Sequence, residues 1–223
     1  MLAPRFAVVA SRLARVGRRF YAHGWVLGTS GNFSVVVSRR PLRLAITSSG
    51  APKGELAPRH ILLCDDQGAV VGRRMGKPSA EVLLHIEIAK RRQAGAVLHT
   101  HSVWSTLLSD QHAADGGLSI DGYEMLKGLT GVMSHTHCEW IPILENDQDM
   151  HRLAAAVGGT LDRREDTHGI LLRRHGLYTW GSTLVEAERH VEILEFLLEA
   201  SARERALRRD GIADPQRGTS WQS

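Results

Sequence analysis

Cysteine is scarce, with two residues, Cys64 and Cys138, in a chain of 223. Two thiols cannot build the disulfide framework of a small secreted domain, and they read as reduced thiols of a cytoplasmic protein. Long apolar runs are missing too: no stretch approaches the ~20 apolar residues that a bilayer-spanning helix needs. At the N-terminus Arg5, Arg12, Arg15, Arg18 and Arg19 interrupt the apolar residues, which argues against the apolar core of a signal peptide. The expectation is a soluble, unprocessed chain. Nor is there a large charge of one sign, since 28 Lys+Arg against 24 Asp+Glu leave +4. Much of the excess sits in arginine pairs such as Arg18-Arg19, Arg91-Arg92 and Arg173-Arg174. That spread argues against a dedicated DNA surface and suits an anionic small molecule.

What is present is an ordinary globular composition, 43% hydrophobic and 23% charged, outside the disordered regime. No repeat, linker or low-complexity stretch divides the chain. The reading is one domain over 1–223 mixing strands and helices, with an N-terminal helix over 1–23 and a flexible tail over 212–223.

Residues 6–23 carry Val9, Leu13, Val16 and Phe20 at three- and four-residue steps, the period of a one-sided helix, and Gly24 fits the position just past its end. β-branched runs over 32–37 and 42–47, joined through Arg39-Arg40-Pro41, predict a hairpin. A second hairpin is predicted from 61–64 through Asp65-Asp66-Gln67-Gly68 to 69–71. A helix is expected from Ala80 with Ser79 as its N-cap. Residues 96–101 read as a short buried strand, 140–144 as another, and 102–108, 123–129 and 147–157 as helices. A last hairpin over 169–174 and 177–180 bends at His175-Gly176. Thr183 with Glu186 fits a capping box that opens the final helix.

His99 and His101 lie two apart on a strand, so both imidazoles share one face and can converge on one ion. Pairs so spaced are common among packed or solvated side chains. Here the preceding apolar run buries the strand, and His175 sits at a bend marked by Gly176. Three neutral imidazoles with an open fourth position suit a catalytic divalent metal, Zn²⁺ by preference, but spacing alone leaves their convergence open. His135-Thr136-His137-Cys138 repeats the two-residue spacing and adds a thiol, in a stretch without a strand pattern, and is read as a decoy. The remaining histidines, including His85, His168 and His190, default to packing or surface roles. Thr29-Ser30-Gly31-Asn32 and Thr47-Ser48-Ser49-Gly50 lie at strand ends, where backbone N–H groups and hydroxyls can form an anion nest. Ser79 adds the N–H donors of an expected helix start. With Lys53 close by, these groups suggest a phosphate pocket.

Gly31-Asn32, residues 47–50, Lys77-Pro78-Ser79-Ala80-Glu81, His99-Thr100-His101 and Arg174-His175-Gly176 occur in the order and spacing of the class II (zinc) aldolase and adducin family. The sequence resembles that family from about Gly24 to the last helix. The resemblance implies a three-layer α/β/α fold around a central, largely antiparallel sheet, and a homotetramer with active sites between subunits. It implies His99, His101 and His175 as ligands of one Zn²⁺ per subunit, and Glu124 as an acid/base that reaches a neighbouring subunit's site. Glu81 stands at the position of the aldolases' catalytic carboxylate, and Gly31, Asn32, Ser49, Gly50 and Ser79 at their phosphate-binding positions. Ala80 departs from the pattern, since many aldolases have a second serine there. Glu124-Met125-Leu126-Lys127-Gly128, residues 141–146 and residues 173–181 resemble a branch that dehydrates a methylthio-substituted pentulose phosphate in methionine salvage. The neighbouring alternative is an aldolase or epimerase acting on a ketose phosphate such as fuculose 1-phosphate or ribulose 5-phosphate. The adducin head shares the fold without catalysis, and a histidine triad is what such a scaffold has no reason to keep.

Overall fold

The arginine-laced N-terminal segment folds as its period demands. In a computed structural model, which describes residues 2–72 and 75–209, helix α1 (Leu2–Ala22) buries Ala10, Leu13, Ala14, Val16 and Phe20. Arg12, Arg15, Arg18 and Arg19 face outward. The helix closes where the Trp25 N–H reaches back to Phe20 O at 3.0 Å. The tail expected over 212–223 lies outside the described residues.

Strands β1 (Asn32–Arg39) and β2 (Leu42–Thr47) form the expected hairpin, and β3 (Ile61–Cys64) extends it at one edge. On its other side β1 pairs with β4 (Ala96–Thr100). The remaining strands are β5 (Gly117–Ile120), β6 (Glu139–Leu144), β7 (Gly169–Leu172) and β8 (Gly176–Gly181). They complete an eight-stranded sheet in the order β3-β2-β1-β4-β8-β7-β6-β5. Every neighbouring pair is antiparallel except β6 with β7.

Helices α2 (Val82–Arg91) and α4 (Met150–Arg163) cover one face of the sheet. Helices α1, α3 (Val103–Gln111) and α5 (Leu184–Arg209) cover the other. The expected α/β/α layering around a largely antiparallel sheet is what the chain adopts. Alternation along β4 sorts its side chains: Ala96 and Leu98 join the core under α1 and α5, whereas Val97 joins the core under α2 and α4. His99 therefore emerges on the α2/α4 side, stacked on Tyr178 at 3.8 Å. Thr100 turns to α5, where its hydroxyl bonds Glu195.

Four local expectations change. The return strand after β3 shrinks to a single bridge between Cys64 and Val70. Asp65 Oδ1 takes the N–H groups of Gln67 (3.0 Å) and Ala69 (2.9 Å), closing the turn on itself. The helix expected from Ala80 with Ser79 as cap starts at Val82, because Pro78 and Ser79 stay extended beside β2: Ser79 N donates to Thr47 O at 3.2 Å. Residues Glu124–Gly128 form a 3₁₀ turn, not an α-helix. Tyr123, bonded to Glu204 of α5 at 2.5 Å, and buried Leu126 pin the segment at a three-residue repeat. The four-residue β5 was not anticipated, being too short to carry a period.

Candidate metal centre and its pocket

β4 delivers His99 at its penultimate residue, and the chain then leaves the sheet with His101 N donating to Trp25 O at 2.7 Å. His175 arrives from the β7–β8 bend. That bend is pinned by Arg173 and Arg174, both bonded to Asp110 at 2.8 Å, and by Arg174 N on Ser109 Oγ at 3.0 Å. Two glycines let backbone crowd the histidine strand. A Cβ on Gly176 would lie 2.0 Å from Thr100 O, and one on Gly31 (φ +71°) would lie 2.7 Å from His99 O.

The result is convergence. His99 Nε2 lies 2.8 Å from His101 Nε2 and 3.3 Å from His175 Nε2. Among the described residues these three are the one group of three His, Cys or acidic residues whose ligand atoms all lie within 4.8 Å of one another. His99 Nδ1 meets Leu177 O at 2.9 Å. A carbonyl only accepts, so Nδ1 carries the proton and the Nε2 lone pair faces the other rings. Burial, reinforced by His101 and His175, holds His99 well below the usual imidazole pKa. Burial, then the charges of His175 and Lys53, pushes His101 down to about 3. Imidazoles whose Nε2 atoms crowd one point are the donor set a divalent ion wants, and tetrahedral ligands at ~2.0–2.1 Å from zinc sit about 3.3 Å apart. The residues fit a metal.

Beside the triad opens a cavity of 290 Å³, lined among others by His101, His175, Gly31, Asn32, Ser49, Gly50, Ser79 and Glu81. His99 is fully buried behind it. The backbone amides of Ser49 and Ser79 are spent within the fold, on Lys77 O (2.9 Å) and Thr47 O (3.2 Å). At those two positions the hydroxyls are the groups left to meet an anion. Lys53 Nζ ties the two hydroxylic loops together through Thr29 O (2.9 Å) and Ala51 O (3.0 Å), and burial lowers its pKa to about 8. Glu81 Oε1 lies 3.2 Å from His175 Nε2, its Oε2 lies 3.5 Å from His99 Nε2, and Asn32 Nδ2 donates to that Oε2 at 2.5 Å. Asn146, Gln148 and Met150, at the β6–α4 junction, line the pocket as well. No pattern in the sequence had singled them out as wall residues.

Glu124 is not part of this cavity in its own chain. Its side chain is 70% exposed, ion-paired with Lys127, which lowers its pKa, and 3.8 Å from His135. The decoy does not assemble: His137 bonds Glu139 at 3.0 Å and Cys138 Sγ lies 2.8 Å from Ser119 Oγ. His168 belongs to the same buried Glu139, at 2.9 Å, and His190 caps Trp180 O at 2.7 Å.

Residues 11–202 match the Class II Aldolase and Adducin N-terminal domain. The chain belongs to the class II aldolase and adducin family. Among class II relatives, one named methylthioribulose-1-phosphate dehydratase from Methylococcus capsulatus is 42% identical over 92% of this chain and 98% of its own. A protein of the same name from Sorangium cellulosum is 38% identical over 91% and 95%. Of solved class II structures, L-fuculose-1-phosphate aldolase from Thermus thermophilus superposes with a TM-score of 0.70 at 25% identity, over 93% of this chain and 98% of that one. No helix among the described residues is long and apolar enough to cross a membrane.

Proposed function

We propose that this chain is a zinc-dependent methylthioribulose-1-phosphate dehydratase of methionine salvage. It converts 5-methylthioribulose 1-phosphate to 2,3-diketo-5-methylthiopentyl 1-phosphate and water. The observation that carries the reading is the meeting of three imidazoles beside a hydroxyl-lined cavity, in a chain whose near-full-length relatives bear that name. His99, His101 and His175 would hold one Zn²⁺ per subunit; when bound, it supplies Lewis acidity that draws electron density from the substrate carbonyl and acidifies the neighbouring C3–H. Gly31, Asn32, Ser49, Gly50 and Ser79 bind the C1 phosphate and so set C3 near the triad. Glu81, held through Asn32, accepts the C3 proton. Glu124 gives a proton to the departing C4 hydroxyl, and general acid help of this kind supplies ~10²–10⁴-fold. The enol that remains ketonises to the 2,3-diketone.

The exposure of Glu124 outside its own cavity supports its service to a neighbouring subunit, in a homotetramer with active sites between subunits. The whole chain acts as one class II domain, 1–223. Free Cys64 and Cys138 suit a reducing cytoplasm. A second reading, a class II aldolase or epimerase, is favoured by Glu81 at the aldolases' carboxylate position, 3.2 Å from His175. An aldolase breaks the C3–C4 bond, whereas the dehydratase expels the C4 oxygen. Purified enzyme offered methylthioribulose 1-phosphate, fuculose 1-phosphate and ribulose 5-phosphate separates them. Diketone without aldehyde fragments is expected, and aldehyde fragments would select the aldolase.

A further inference from the structure

Behind the cavity a line of polar groups runs away from the triad through α2, and the reaction outlined above uses only its front end. Asn32 Nδ2 donates to Glu81 Oε2 at 2.5 Å, Asn32 Oδ1 meets His85 Nε2, and His85 Nδ1 lies 2.8 Å from Ser34 Oγ. His85 stands four residues after Glu81, one helical turn on, and is fully buried with its ring edge-on to Tyr178. Asn32 and Ser34 are buried too.

Each bond in this line dictates the next. Asn32 turns its NH₂ toward Glu81, whose Oε2 accepts from it. Asn32 then presents oxygen to His85, and that oxygen can only accept, so the ring proton sits on Nε2. Burial holds the ring neutral, its pKa pushed down to about 3. There is then no second N–H for the Val97 carbonyl, which also approaches the ring. Nδ1 is left to accept from the Ser34 hydroxyl.

We propose that His85 is a positioning residue: its Nε2–H locks the Asn32 amide, and the locked amide holds the Glu81 carboxylate beside the imidazole triad. Without that donor the amide is free to turn over and aim its oxygen at Glu81, and the repulsion between two oxygens moves the carboxylate off. The kinetic part of the proposal rests on the reading that Glu81 takes a proton in this cavity.

The experiment uses the zinc-loaded enzyme. His85→Leu removes the donor at similar volume, whereas His85→Gln keeps an N–H donor. His85→Leu should retain zinc and keep KM within about threefold while kcat falls by about 10²-fold, the cost of a ~1 Å misplacement. His85→Gln should recover most of kcat. Equal losses in both variants, or a loss confined to KM, would overturn the proposal. A readout independent of turnover, and of whether either variant folds, is the ¹⁵N spectrum of the wild-type ring. Protonation at Nε2 supports the lock, and a proton on Nδ1 sinks it. A wild type that forms no diketone would refute the dehydratase reading and leave the ring result standing.

Discussion

At His99 two demands meet in one ring: it must stay neutral, and its proton must sit away from its neighbours. Full burial meets the first demand and Leu177 O meets the second. The pair His99/His101 was legible in the sequence, because a two-residue spacing on a buried strand puts both rings on one side. His175 was legible only as a histidine at a bend. The role of His85 was not legible, since a lone histidine on a helix gives no sign of the asparagine it will meet 53 residues away in the chain. At this scale, His101→Ala should strip the metal and abolish turnover while leaving a folded protein, read by metal analysis and circular dichroism. His135→Ala and His137→Ala should leave metal content unchanged, and a loss there would revive the second cluster. Glu124→Gln should keep zinc and lose at least ~10²-fold in dehydration; undiminished turnover would pass its role to Glu81.

At the scale of elements, α5 carries an acidic side chain into the core. Glu195 is 1% exposed beneath the end of β4, accepts from the hydroxyl of Thr100, and is pushed up to about 7 by burial. A carboxyl whose folded pKa lies above its ordinary 4.5 binds its proton more tightly in the native state. Stability therefore falls as pH rises from about 4.5 to about 7, by an amount on the order of 3 kcal/mol. Glu195→Gln should flatten that part of the profile in urea titrations at stepped pH. An unchanged slope would mean that Glu195 ionises freely. The elements themselves followed the sequence signal where it ran long, as in the period of α1 and the β-branched runs of the β1–β2 hairpin. They departed where a tertiary partner outweighed local preference. Ser79, a good N-cap by residue type, instead pairs its backbone with Thr47, and the helix waits until Val82.

At the scale of the whole molecule, the cavity of one chain is lined by His101, His175, Glu81 and the hydroxylic loops, with His99 buried behind it, while Glu124 stands elsewhere on the surface. If Glu124 serves a neighbour, two dead variants should repair each other. Mixing His101→Ala with Glu124→Gln subunits, after dissociation and reassembly, should yield hybrid sites with an intact triad from one subunit and an intact Glu124 from the next. Activity above either parent is the expected result. No recovery in confirmed hybrids would return Glu124 to its own subunit or remove it from the reaction.

By itself the sequence determined most of the strands and helices, because apolar period and turn chemistry are local properties that each segment carries with it; their layering was implied only by the family resemblance. It also determined the family, through short runs of residues kept in order along nearly the whole chain. Only the tertiary structure decided which distant groups touch. Its eight-stranded sheet sets the β7–β8 bend against the end of β4, brings His175 within 3.3 Å of His99, and lays Asn32 between Glu81 and His85. Those contacts depend on strand order and register across the sheet, and neither is written in the spacing of any one segment.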